Sequence, residues 1–109
     1  MKKYILIFRS SKLTSEVSKE RFAVWGTWIA DLLKSWSYIS AEAFADDIYM
    51  ATEPKKLDEV KRSDANIVGY LILRTHDMNE LKKHLETCPI FDFGGTVEIR
   101  ELKDLNEAS

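Results

Sequence analysis

Four side chains hold most of the chemistry this sequence offers: Arg9, Trp28, Arg74 and His76. Arg9 closes the apolar run at 4–8, and Arg74 closes a second run at 67–73, with His76 two positions further on. An imidazole titrating near pH ~6.5 beside two guanidinium groups can polarise or hold an anionic or phenolic oxygen and pass a proton. His76 is the catalytic candidate of the set. Arg9 would orient the oxygen by a charge-assisted hydrogen bond, and Trp28 would wall the cleft with its ring. Each also has a plainer use. His76 precedes Asp77, a helix cap, and can be an exposed linker residue. Trp28 lies about 95° from the centre of its helix's apolar stripe and can equally be core edge. Arg9 can instead point to the other face of its sheet and pair with a carboxylate such as Glu98. Acting together requires the C-terminal ends of the first and third strands to lie side by side.

The remaining candidates are weaker. Cys88 is the single cysteine, placed on a buried stripe before Pro89 with no neighbouring His to make it a thiolate, so it reads as a small core residue in a reduced setting. Two isolated histidines, His76 and His84, lack the paired Cys or carboxylate spacing of a zinc site, and neither metal nor cofactor is expected. Glu98 and Arg100 share strand parity and can pair with each other or reach a partner subunit.

The elements that must position these groups follow from hydrophobic period. Residues 4–8 and 67–73 are continuous apolar, β-branched and aromatic runs, expected within central strands at 3–9 and 67–73. Gly69 within the second admits a close neighbour. Between them, oxygens at Thr14, Ser15 and Ser18 offer caps for a helix reaching about Trp36. Its stripe is Phe22, Trp25, Gly26, Ile29, Leu32, Leu33 and Trp36, with Trp25 and Trp36 read as core. Residues 37–44 alternate as a strand. In the insert at 46–66, residues 48–51 can extend that strand or form another, and Pro54 predicts a short surface helix over 54–62. Asp77 and Glu80 resemble a capping box ahead of a stripe at Met78, Leu81, Leu85 and Cys88, ended by Pro89. Gly94 and Gly95 turn the chain into an alternating strand at 96–102.

The order is that of a ferredoxin-like βαββαβ plait, an α+β fold with a four-stranded antiparallel sheet and both helices on one face. Apolar side chains on the other face of the two central strands then need cover, and a second copy is the simplest source. With 109 residues, 45% of them hydrophobic, and a net charge of −2, the chain reads as one domain over 1–103 with a polar tail at 104–109. No apolar run approaches the ~20 residues of a membrane helix, and no leader pattern is seen, so a cytoplasmic protein is expected. The plait also carries RNA-recognition modules, but one aromatic on the third strand and an acidic balance provide no phosphate footprint, so nucleic acid is not an expected partner.

The pattern Gly69-Tyr70-Leu71-Ile72-Leu73, the helix around Asn79-Glu80-Leu81, Cys88-Pro89 and Gly94-Gly95-Thr96-Val97-Glu98-Ile99-Arg100 resembles the YCII-related family and its DGPF-like branch. That resemblance implies a dimeric α+β barrel, akin in architecture to muconolactone isomerases and small quinol monooxygenases. Two departures stand out. The family's first-helix His has no counterpart between Phe22 and Leu33, which leaves Asp46 or Asp47 without a dyad partner. The DGPF tetrapeptide is replaced by Thr52-Glu53-Pro54-Lys55-Lys56. The expected function is therefore a homodimeric small-molecule-binding or accessory module without the dyad. The alternative is a small dimeric-barrel enzyme acting on an aromatic or planar organic substrate in a cleft between the first helix and the sheet.

Overall fold

The computed structural model describes residues 1–10, 19–44, 47–59 and 67–103. The expected caps at Thr14, Ser15 and Ser18, the loop at 63–66, Asp46 and the tail at 104–109 lie outside the described residues. The chain is α+β, with strands β1 (Lys2–Arg9), β2 (Tyr38–Ala43), β3 (Tyr49–Glu53), β4 (Lys56–Glu59), β5 (Ile67–Thr75) and β6 (Thr96–Leu102). Its two α-helices are α1 (Lys19–Lys34) and α2 (Met78–Glu86). Four strands form an antiparallel sheet in the order β2-β5-β1-β6, compatible with a ferredoxin-like plait, and β3 and β4 form a separate two-stranded sheet.

Strand alternation divides the side chains cleanly. Tyr4, Leu6 and Phe8 of β1 and Leu71 and Leu73 of β5 are buried with Trp28 and Leu32 of α1 and Leu81 of α2 in one core. Burying each such side chain contributes roughly 1.5–3 kcal/mol, which is what holds both helices to this face. The intervening residues Ile5, Ile7, Tyr70 and Ile72 point to the opposite face and are half-buried, whereas Val68, at the register shift opposite Phe8 and Arg9, packs against the core. Gly69 is required because a Cβ there would stand 2.7 Å from the Glu42 carbonyl oxygen of neighbouring β2.

Three expectations are corrected. The stripe of α1 is turned relative to its sequence reading. Trp25, Trp28, Ile29 and Leu32 pack inward, while Leu33 is exposed and Trp36 is 77% exposed. Gly26 and Leu33 had pulled the apparent stripe sideways, although a glycine has no side-chain area to bury. Trp28 has a large ring to bury and an N–H that finds a partner. Trp36 lies past the helix end, where Ser37 N–H donates to Leu32 O (3.0 Å) and Trp36 N–H to Leu33 O (3.1 Å), a Schellman ending. This puts Trp36 at φ 61°, a left-handed position normally filled by glycine.

The short helix expected from Pro54 is a hairpin over the described part of that span. Pro54 and Lys55 link β3 to β4, with Lys55 at φ 71°. A proline followed by a residue of positive φ is the pattern of a type II turn, so Pro54 serves the turn rather than a helix start. On α2, Met78 is exposed and Cys88 lies beyond the helix, ahead of a 3-10 turn at Pro89–Phe93 that folds Ile90 into the core. The Asp77 cap is present: Glu80 N–H donates to Asp77 Oδ1 at 2.9 Å, and Glu80 Oε2 accepts from His76 N–H.

Candidate functional site

Among the described residues, the sheet face that neither helix covers is built from residues of one parity on all four strands. Ile5 and Ile7 of β1 stand beside Ile72 and Tyr70 of β5, forming an apolar strip along the middle. Tyr70 continues sideways into Phe44, just past β2, with ring centroids 6.0 Å apart. Charged groups rim the strip. At one end Glu98 accepts from Arg100 Nε (2.8 Å) and Arg9 Nη2 (3.5 Å). The Arg100 hydrogen bond, and then the positive charge of both arginines, hold the Glu98 carboxyl below its ordinary range. At the other end Lys3 and Arg74 are cross-strand neighbours, and Arg74 Nε donates to Trp36 O at 3.1 Å. Glu42 sits beside Tyr70 on the β2 side. An apolar strip with a charged rim is the pattern of residue types found in the core and rim of protein interfaces.

A second polar cluster lies where α2 meets the start of β2. Trp28 Nε1 donates to His84 O (2.8 Å), joining the two helices. His84 Nε2 is 3.2 Å from Ser37 Oγ and 3.9 Å from Glu80 Oε1. Serine, histidine and carboxylate in one place invite comparison with a nucleophile relay, but the geometry does not make one. A relay uses the two different ring nitrogens, one for the hydroxyl and one for the acid. Here a single nitrogen faces both, and Ser37 is only 2% exposed. The cluster satisfies buried polar groups and fixes α2 against the α1–β2 connection. Glu80 is held below the ordinary carboxylate range, first by the His76 backbone N–H. Cys88 is buried in the core, where desolvation pushes the thiol up to about 11.

The four sequence-selected residues do not form one site. Antiparallel pairing sets Arg9 opposite Ile67 and Thr96, and Arg74 opposite Lys3, so the ends expected side by side are the two opposite ends of the sheet. Six residues of strand separate Arg9 from the Arg74 level, on the order of 20 Å. Trp28, 3% exposed, is on the helix side of the sheet and belongs to the core. His76 is exposed ahead of the α2 cap. Arg9 takes the other geometry weighed for it, facing away from the helices and pairing with Glu98. Sequence reading missed His84 and Ser37 as neighbours, since they are 47 positions apart and neither lies in a motif. Among the described residues no three His, Cys, Asp or Glu side chains converge as metal ligands, and no helix is long and apolar enough to cross a membrane. No family model matches the chain, and no curated protein is significantly similar to it.

Proposed function

We propose that this chain is a homodimeric small-molecule-binding or accessory module, a βαββαβ ferredoxin-like plait whose two copies close their sheets into a dimeric α+β barrel. The observation that carries this reading is the strip of Ile5, Ile7, Tyr70 and Ile72, which no described helix covers, on a sheet whose other face packs against α1 and α2. The resemblance of residues 69–100 to the YCII-related family supports the same assembly. A binding role is preferred to the enzyme alternative because the space between α1 and the sheet, where a substrate cleft was expected, holds Trp25, Trp28 and Leu32. Trp25 and Trp28 meet each other and Phe8 edge to face at 5.2–6.3 Å. A small organic ligand then belongs in the seam between the two sheets, within reach of Arg9 or Arg74.

Sedimentation equilibrium on the wild type and on Ile72→Asp tests the assembly. A dimer that the aspartate splits into monomers is expected, and a wild-type monomer at high micromolar concentration would refute it. A thermal-shift screen of aromatic acids and phenols on the wild type, Arg9→Ala and Arg74→Ala tests the ligand. Loss of a shift in one arginine variant would locate the binding end.

A further inference from the structure

We infer that the β3–β4 hairpin is a dimerisation arm that flanks the sheet-to-sheet contact and lies against the charged rim of the sheet face of a second copy of this chain. The inference rests on the homodimer proposed above and adds the contact that completes it.

Among the described residues the hairpin has no strand partner in the four-stranded sheet. β3 pairs only with β4, through Tyr49 with Glu59, Met50 with Asp58 and Glu53 with Lys56. A lone two-stranded hairpin is marginally stable in water and gains stability by packing on something apolar. This one leaves Tyr49 and Met50 57% and 51% exposed.

Area argues that the sheet face alone is too small. Strands ~4.8 Å apart and about seven residues long, at ~3.3 Å per residue, give a four-stranded face of ~450 Å². Two such faces pressed together remove on the order of 900 Å², whereas permanent dimers bury at least ~2,000 Å² in total. A second apolar element must contribute, and the hairpin is the element that follows β2 and Phe44 in the chain, Phe44 itself standing against Tyr70 of the face.

Charge selects the occupant. Over residues 47–59 four acids, Asp47, Glu53, Asp58 and Glu59, outnumber Lys55 and Lys56 for a net −2, and the whole segment 45–66 carries the same net charge. The uncovered face carries the opposite balance, with Lys3, Arg9, Arg74 and Arg100 against Glu42 and Glu98 for a net +2. An acidic arm and a basic face on the same chain form a self-complementary pair, and a two-fold axis satisfies it twice.

The test compares the full-length wild type with Tyr49→Ser/Met50→Ser and with Asp47→Lys/Glu59→Lys by sedimentation equilibrium, at ~0.05 M and ~0.5 M salt. Far-UV circular dichroism checks that each variant is folded, and if one is not, the other decides. Both variants are expected to weaken the dimer at least ~10-fold, with the defect of the lysine variant shrinking at high salt. Dimers as tight as wild type in both would overturn the arm while leaving the homodimer intact. A tighter dimer would mean that the arm masks its own sheet, and would also overturn it. A monomeric wild type would remove both readings.

Discussion

Trp28→Ala removes a ring packed against Phe8 and Trp25 together with the N–H that ties α1 to the His84 carbonyl, leaving that oxygen with the long 3.4 Å bond from Thr87 Oγ1 as well as a cavity. The expected cost is about 3–5 kcal/mol in urea unfolding, more than for Trp25→Ala, which removes only packing. Trp36→Gly should do the opposite. A left-handed backbone costs a non-glycine residue roughly 1–2 kcal/mol, and the exposed ring returns little, so the glycine variant should unfold at a higher temperature. Helical period puts Trp36 on the stripe and Trp28 about 95° off it, and the structure reverses both, for Trp36 because period gives angles along a helix but not where the helix stops.

Glu80 gives a pH-dependent counterpart. Its folded-state pKa is lowered, so its contribution is fully present above the ordinary range near ~4.3 and is lost as pH falls through the folded value. Glu80→Gln should therefore destabilise at pH 7 by less than about 1 kcal/mol, the carboxylate being one-third exposed, and match the wild type near pH ~3. Cys88 runs the other way. Its raised pKa favours the folded state below the ordinary thiol value and loses that advantage as pH rises towards about 11. At pH ~8 a thiol reagent should react with Cys88 only as fast as the chain opens, and denaturant should accelerate it.

Turns and close approaches decide which elements form. Lys55→Gly relieves a positive φ in the β3–β4 turn and should stabilise the hairpin by about 1 kcal/mol, whereas Gly69→Ala drives a methyl into the Glu42 carbonyl and should lower the melting temperature sharply. The Gly69 contact was legible because a glycine inside an apolar strand has few other reasons to be there. The strands were legible for a similar reason, as runs such as 67–73 have no helical spacing. The hairpin was not: Pro54 is equally at home at a helix start and in a turn, and its neighbours carry too few apolar residues to show a period. The separation of Arg9 from His76 was also missed, although it follows from topology alone. Neighbouring antiparallel strands bring the end of one to the beginning of the other, so two C-terminal ends never meet across a single ladder.

At the scale of the whole molecule, the sheet has one dry face and one whose central side chains are only half-covered, and stability must depend on which state of that second face prevails. If a second copy covers it, folding and association are linked, and mass action makes the melting temperature rise with protein concentration. The wild type, scanned over a hundredfold concentration range, should show that rise. Ile72→Asp buries no new charge in the monomer, because its position faces outward, yet it puts a carboxylate in the middle of the apolar strip of the pair. The variant should melt lower than wild type at high concentration and lose the concentration dependence, while the two proteins converge when dilute. A wild-type melting temperature independent of concentration would mean that the strip of Ile5, Ile7, Tyr70 and Ile72 faces solvent in the working protein, and that its half-burial comes from neighbouring side chains on the same sheet.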